Sequence, residues 1–252
     1  MTNANYRHAD EVADSLRAAE RIVPVILAIV GEVRSVVDVG GGTGAWLSVF
    51  RRLGVEKTHL VDSAEAAADL LIDKACFEPV DLSTGMPEPR RFDLAVCVEV
   101  AEHLPPRMAR PLVDWLTAAA DRVVFSAATP GQGGKGHINL QPPAFWRELF
   151  ERQGFVRRDV LRAKILHDRD VPAWYRQNLF LFVKAGCELA AEDSDFLPPG
   201  FELVQTEIAY GSRGVRSLLK QLGPALVAAI ERKFDRLGAK KRPDQPTESQ
   251  GQ

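Results

Sequence analysis

Val36-Val37-Asp38-Val39-Gly40-Gly41-Gly42-Thr43-Gly44 is an apolar run that carries one carboxylate and ends in glycines. Glycines let a backbone pass close beneath a ligand and take torsions that other residues resist. The amides entering a following helix can face a negative group. Gly40, Gly42 and Ala45 also satisfy the relaxed G-x-G-x-x-A spacing of dinucleotide sites. Asp38 argues against a pyrophosphate there. It lies two residues before the first glycine, where a carboxylate repels phosphate and can organise a cationic amino-acid ligand through water and loop amides. Asp62, Asp81 and Glu99 stand at the ends of later apolar runs. His137 follows several glycines, and a histidine is the side chain best suited to accept a proton near neutral pH.

The surrounding pattern says what must hold these groups. Val12, Leu16, Ala19, Val23 and Leu27 recur at helical spacing, so residues 9–31 read as helix, split or kinked at Pro24. Strands are expected at Ser35–Val39, His59–Val61, Glu78–Leu82, Phe92–Val98 and Arg122–Ser126, with helices at Ala45–Leu53, Ala64–Leu71 and Arg107–Ala120 between them. Alternation of this kind gives parallel pairing, because each crossover must return across the sheet. Continuous apolar strands imply helices on both faces. A glycine-rich loop follows at 129–136, then a helix at Pro143–Gln153. Val156–Leu161 and Leu179–Val183 are expected to close the sheet as an antiparallel pair. Ligands of such sheets sit outside the carboxyl ends of the strands, where the carboxylates above fall.

Asp38 to Gly44, D-x-G-x-G-x-G, resembles motif I of class I S-adenosylmethionine-dependent methyltransferases, and the resemblance covers roughly residues 30–185. It implies a Rossmann-like, doubly wound α/β fold with a seven-stranded, mostly parallel sheet, here with helical N- and C-terminal extensions. It implies S-adenosyl-L-methionine as cofactor, bound by Asp38, Gly40, Gly42 and Gly44. Asp62, closing His-Leu-Val-Asp, then falls on the ribose hydroxyls, since two carboxylate oxygens suit two vicinal donors. It can equally cap the helix after it. Asp81-Leu82 resembles the family's adenine contact, the acid accepting the exocyclic amine and the leucine packing on the ring; a turn aspartate is the other reading. Phe92 to Leu104 resembles motif IV with the E-H-L segment of members that act on small molecules, and it puts Glu99 beside the sulfonium. Neither N-P-P-Y nor a P-C pair of nucleic-acid methyltransferases occurs.

Methyl transfer from an activated donor asks the protein mainly for alignment and exclusion of water. A hydroxyl acceptor must also lose its proton. Among five histidines, His137 is the candidate base. Its stretch, Gly136-His137-Ile138-Asn139 through Pro143 to Trp146, resembles G-H-I-N-x-x-x-P-x-x-W of a bacterial subgroup linked to sugar or glycan modification. His137 and Asn139 can otherwise serve only the loop backbone. Tyr175, in Trp174-Tyr175-Arg176-Gln177-Asn178, also resembles that subgroup, so Asn139 and Tyr175 are candidate acceptor contacts; a packed strand entry is the alternative for Tyr175. Glu99, Glu102 and His103 form E-x-x-E-H, which some quinone-biosynthetic relatives use around magnesium. More often Glu99 faces the cofactor and the other two anchor a helix, and no metal is assigned.

Composition narrows the rest. A net charge of -2 gives no reason to expect a nucleic-acid partner. Three scattered cysteines, Cys76, Cys97 and Cys187, suit a reducing cytoplasm. The polar start resembles no targeting peptide, and the apolar run from Ile22 to Val30 is too short to span a bilayer. The reading divides the chain into a helical segment at 1–32, the cofactor domain at 33–185, a connection and amphipathic helix at 186–238, and a polar tail at 239–252. Between Arg213 and Arg242 stand nine basic and two acidic residues beside an apolar stripe from Val215 to Leu237. That helix can dock on the domain or on a second copy of the chain, or rest on an anionic membrane. The expected function is O-methylation of a small molecule or sugar precursor. A nicotinamide-dependent oxidoreductase and a non-catalytic binding module are the rivals.

Overall fold

A computed structural model describes residues 3–190. The amphipathic segment expected over 212–238 and the tail from 239 lie outside the described residues. Seven strands form one sheet: β1 (Ser35–Val39), β2 (Lys57–Asp62), β3 (Phe77–Pro79), β4 (Leu94–Val98), β5 (Arg122–Ser126), β6 (Phe155–Arg158) and β7 (Phe180–Lys184). Their order is β3-β2-β1-β4-β5-β7-β6. The pairs among β1 to β5 are parallel, and β7 runs antiparallel to both β5 and β6. This is the class I methyltransferase architecture expected from the sequence.

Alternate strand residues feed two cores. Val36, Leu60, Val96, Val124 and Leu181 join one with α1 (Asn3–Val30) and α2 (Ala45–Arg52). Val37, Val61, Ala95, Val123 and Phe182 join the other with α3 (Ala109–Ala119) and α4 (Pro143–Arg152). Successive side chains of a strand point to opposite faces, so a strand buried on both sides must be apolar throughout. The order reverses between β1 and β4: β2 and β3 lie to one side and β5 to the other. A crevice opens at that switch point, above the carboxyl ends of β1 and β4.

Four expectations need correction. First, α1 is one helix and is not split in two at Pro24. Proline removes a single intrahelical donor, at a cost of about 3 kcal/mol. Ala18, Ala19, Ile22, Val23, Ile26 and Ile29, each at most 2% exposed, lie on both sides of it and hold the helix to the core. Second, the helix expected over Ala64–Leu71 is only a 3₁₀ turn at Ala64–Ala68. None of its residues is buried, so no packed face supports a helix of that length. Third, β3 sits earlier than Glu78–Leu82 and stops at Pro79, because Asp81 starts a turn that Thr84 and Gly85 close on its carbonyl. Fourth, the closing antiparallel pair forms, but β6 ends at Arg158. Val160 and Leu161 turn inward as α5 (Val160–Ile165), and α6 (Ala173–Asn178) precedes β7, which inserts between β5 and β6.

Candidate active site

The crevice is built from strand ends. Asp38, 2% exposed, lies under the glycine turn, and its Oδ2 has no hydrogen-bond partner among the described residues. Burial, then the nearby Asp62 carboxylate, push the Asp38 carboxyl up to about 8, so it is largely protonated at neutral pH. Gly41 closes over it: a β-carbon there would stand 2.2 Å from Asp38 Oδ2. Gly40, at φ +74°, passes so close to Val100 that a β-carbon would meet its Cγ1 at 2.5 Å. Gly42, at φ +57°, has nothing within 4 Å of its missing side chain and so faces open space. Gly44, at φ +76°, begins α2, whose first amides have no side-chain cap.

Asp62 ties the second strand to this turn. Its Oδ2 accepts the Gly42 N–H at 2.7 Å, and its Oδ1 accepts the Ser63 N–H at 2.6 Å. Leu71 N–H donates to the Thr43 carbonyl at 2.8 Å and fixes the other rim. Asp81 makes a turn of its own. Its Oδ1 accepts both the amide and the hydroxyl of Ser83, at 2.9 and 2.6 Å, and the Ser83 hydroxyl is the main reason its carboxyl titrates below the usual range. Leu82 is 7% exposed and packs in the core beside Val39, Val61 and Val100.

Glu99 takes φ +56°, the sole positive φ outside glycine among the described residues. Such a torsion is costly for a side-chain-bearing residue and persists only where surroundings enforce it. Ser126, at the end of β5, supplies them. Its hydroxyl donates to Glu99 Oε1 at 2.7 Å and accepts the Glu99 N–H at 3.0 Å. Gln132 Nε2 donates to Glu99 Oε2 at 3.4 Å, and Asn178 Nδ2 donates to Gln132 Oε1 at 2.7 Å. Burial raises Glu99, against these donors. Glu102 is fully buried beside it and is raised by burial and then by the Glu99 charge.

The glycine-rich loop after β5 folds back onto this turn. The Ile138 and Asn139 amides donate to the Glu102 carbonyl at 2.8 and 3.0 Å. His137 is half-buried and stands edge-on to the His103 ring, with centroids 4.8 Å apart. Burial, then His103, lower its pKa, and the Gln132 backbone opposes them. Its Nδ1 is buried without a partner. The imidazole is therefore neutral at pH 7 with a bare ring nitrogen.

The two expected acceptor contacts, Asn139 and Tyr175, are both buried. Asn139 is 2% exposed; its Nδ2 donates to the Ala101 carbonyl and its Oδ1 accepts from Gln141, both at 3.1 Å, so it anchors the loop. Tyr175 is 8% exposed, lies in α6 and packs edge-on against Trp46, so it belongs to the core. Its hydroxyl is raised by that burial. The turn thus gathers Asp38, Gly40, Gly42, Gly44 and Asp62, while Glu99 and His137 stand with the E-H turn. Gly41, Ser126 and Gln132 were missed. Ser126 closes a strand at the same sheet edge as Glu99, so the strand-end rule reaches it; Gln132 carries no such signal.

Comparison with known proteins agrees with this architecture. A family described as a methyltransferase domain matches residues 6–125, the span that holds the glycine turn, Asp62 and Glu99. No curated protein sequence matches the chain. Among solved structures, DesVI of Streptomyces venezuelae is similar at a TM-score of 0.55 and 14% identity, over 73% of this chain and 99% of that one. The sugar N-methyltransferase KedS8 from a Streptoalloteichus species gives 0.51 and 16%, over 73% and 93%. The plantazolicin methyltransferase BpumL, solved in complex with SAH, gives 0.50 and 13%, over 72% and 88%. At such identities the likeness is one of fold, and the family model matched over residues 6–125 is that of a methyltransferase domain.

Proposed function

We propose that the chain methylates a hydroxyl oxygen of a small molecule or sugar precursor, as a cytoplasmic biosynthetic enzyme of the bacterial small-molecule and sugar subgroup. The bare, buried Nδ1 of His137 carries this reading. A neutral imidazole beyond β5, at the carboxyl edge of the sheet, is placed to take a hydroxyl proton.

The residues fit the cofactor. The unpartnered Asp38 Oδ2 beneath the turn suits an ammonium group, directly or through water, and the open face at Gly42 leaves room for a ligand over the backbone. Asp62, already oriented by Gly42 and Ser63, has lone pairs left for ribose hydroxyls. Asp81, with Leu82 beside it, is assigned to the adenine, and Glu99 to the reacting end. The bound cofactor supplies a methyl carbon on a positively charged sulfur. With the cofactor so held, its methyl would be available to the acceptor oxygen, and His137 Nδ1 would receive the hydroxyl proton that the acceptor loses. The 129–139 loop, fastened to the Glu102 carbonyl, keeps water from the reacting atoms.

Within this reading residues 33–185 are the working domain and 1–32 its helical support, with extensions at 186–238 and 239–252. Among the described residues no helix is long and apolar enough to cross a membrane. Membrane contact or homodimer formation is assigned to the basic segment between Arg213 and Arg242, and no nucleic-acid partner is assigned. His137→Ala tests the base. Cofactor affinity by titration calorimetry should stay within about twofold, while turnover falls on the order of 10²-fold or more. Retained turnover removes His137 from the proton step.

A further inference from the structure

Glu102 is an acid with an unusual environment. It is fully buried, and neither carboxyl oxygen has a hydrogen bond of proper geometry among the described residues. Burial raises its pKa, the Glu99 carboxyl raises it further, and the backbone at Glu102 and Ala128 opposes that rise. Two carboxyls packed together without a cation between them repel once both ionise. His137 Nδ1, also buried and unpartnered, stands on the same side. One oxygen of Glu102 and one ring nitrogen each of His103 and His137 all lie within 4.8 Å of one another.

We propose that Glu102, His103 and His137 form a binding site for a divalent transition-metal ion of the zinc class, and that an ion seated there blocks proton transfer by His137. Zinc holds nitrogen and oxygen donors at about 2.0–2.2 Å in a tetrahedral shell, so donors of one ion stand about 3.3–3.6 Å apart, and about 1.5 Å of side-chain movement closes the cluster. His103 is exposed and able to make that movement. Two imidazoles and one carboxylate are borderline donors, which favour zinc or cobalt over the all-oxygen shell that magnesium prefers. The supporting shell is in place. The Ile138 and Asn139 amides, on the Glu102 carbonyl, hold the two segments of the site together.

The inhibitory half of the proposal rests on His137 being the base, because the ion takes the same lone pair that would receive the hydroxyl proton. The metal-binding half does not. The full chain, freed of metal by a chelator, is dialysed against Zn²⁺, and bound zinc is measured. In parallel, Co²⁺ is added and its visible absorption recorded. The expected result is one equivalent of zinc and a cobalt spectrum of low-symmetry nitrogen and oxygen ligation. In His103→Ala, an exposed position, zinc affinity should fall at least tenfold. No stoichiometric zinc, or equal affinity in the two proteins, overturns the site. Zinc should also suppress turnover of the unaltered protein, and chelator should restore it. Zinc bound without loss of turnover leaves the site standing but overturns the inhibition and removes His137 as base.

Discussion

Gly42 N–H donates to Asp62 Oδ2 at 2.7 Å, which joins the glycine turn after β1 to the last residue of β2. Adjacent parallel strands bring these two ends together although 20 residues separate them in the chain. The bond orients the carboxylate over the switch point before any ligand arrives. It also leaves the protein dependent on Asp62 for the shape of the turn.

Asp62→Ala should therefore weaken S-adenosylmethionine binding by about 10- to 100-fold, through loss of both the ribose acceptor and the Gly42 partner. Asp62→Asn, which keeps an acceptor oxygen for Gly42, should lose less. Titration calorimetry on the three proteins checks the order. Unchanged affinity in the alanine variant contradicts the ribose assignment.

Asp38 gives a pH-dependent prediction. Its folded carboxyl titrates at about 8, against about 4 in an unfolded chain. Between those values the folded state retains a proton that the unfolded chain has released. Its contribution to stability is thus complete below pH 4 and declines as pH rises toward 8, by up to about 1.4 kcal/mol per unit. Asp38→Asn should lack this decline, so urea midpoints of the variant should gain on those of the unaltered protein between pH 5 and pH 8. Parallel pH curves would refute a buried neutral acid at this position.

The same group predicts proton release on binding. A cofactor ammonium favours the ionised carboxylate, so binding at pH 7 should expel up to about one proton from Asp38. Calorimetry in buffers of different ionisation enthalpy reads that number directly. Asp38→Asn should reduce it toward zero.

Gly41 and Gly42 should respond differently to alanine. At Gly41 the new methyl would stand 2.2 Å from a carboxyl oxygen buried in the fold, so the turn must shift. We expect Gly41→Ala to lose about 1–3 kcal/mol of stability along with most cofactor affinity. Gly42→Ala meets open space and carries mainly the torsional cost of about 1–2 kcal/mol at φ +57°. Thermal unfolding and cofactor titration of both variants test the contrast; equal behaviour would count against Asp38 lying under Gly41.

These contrasts show what a sequence can reveal. Asp38, the glycines and Asp62 are legible because motif and strand end coincide: a local pattern places each one, and parallel pairing brings the ends together. The inward faces of β1 and β4 are legible for the same reason, as unbroken apolar runs. The Ala64–Leu71 segment misleads because alanine favours helix intrinsically, yet nothing there is buried to reward it. Pro24 misleads in the opposite direction, since a local breaker is overruled by buried side chains on both sides. Gln132 and Glu102 are the least legible. Their surroundings depend on a loop that returns across the sheet edge, and no periodicity records that contact. Asn139 and Tyr175 carry the right chemistry for an acceptor, but only packing reveals that both are buried.

The central claim is that the crevice above β1 and β4 is a site for S-adenosylmethionine. Titration calorimetry with S-adenosylmethionine and, separately, with NAD tests it most directly. The account predicts one S-adenosylmethionine bound per chain, weakened in Asp62→Ala, and no comparable binding of NAD. Tight NAD binding with no heat from S-adenosylmethionine would contradict it.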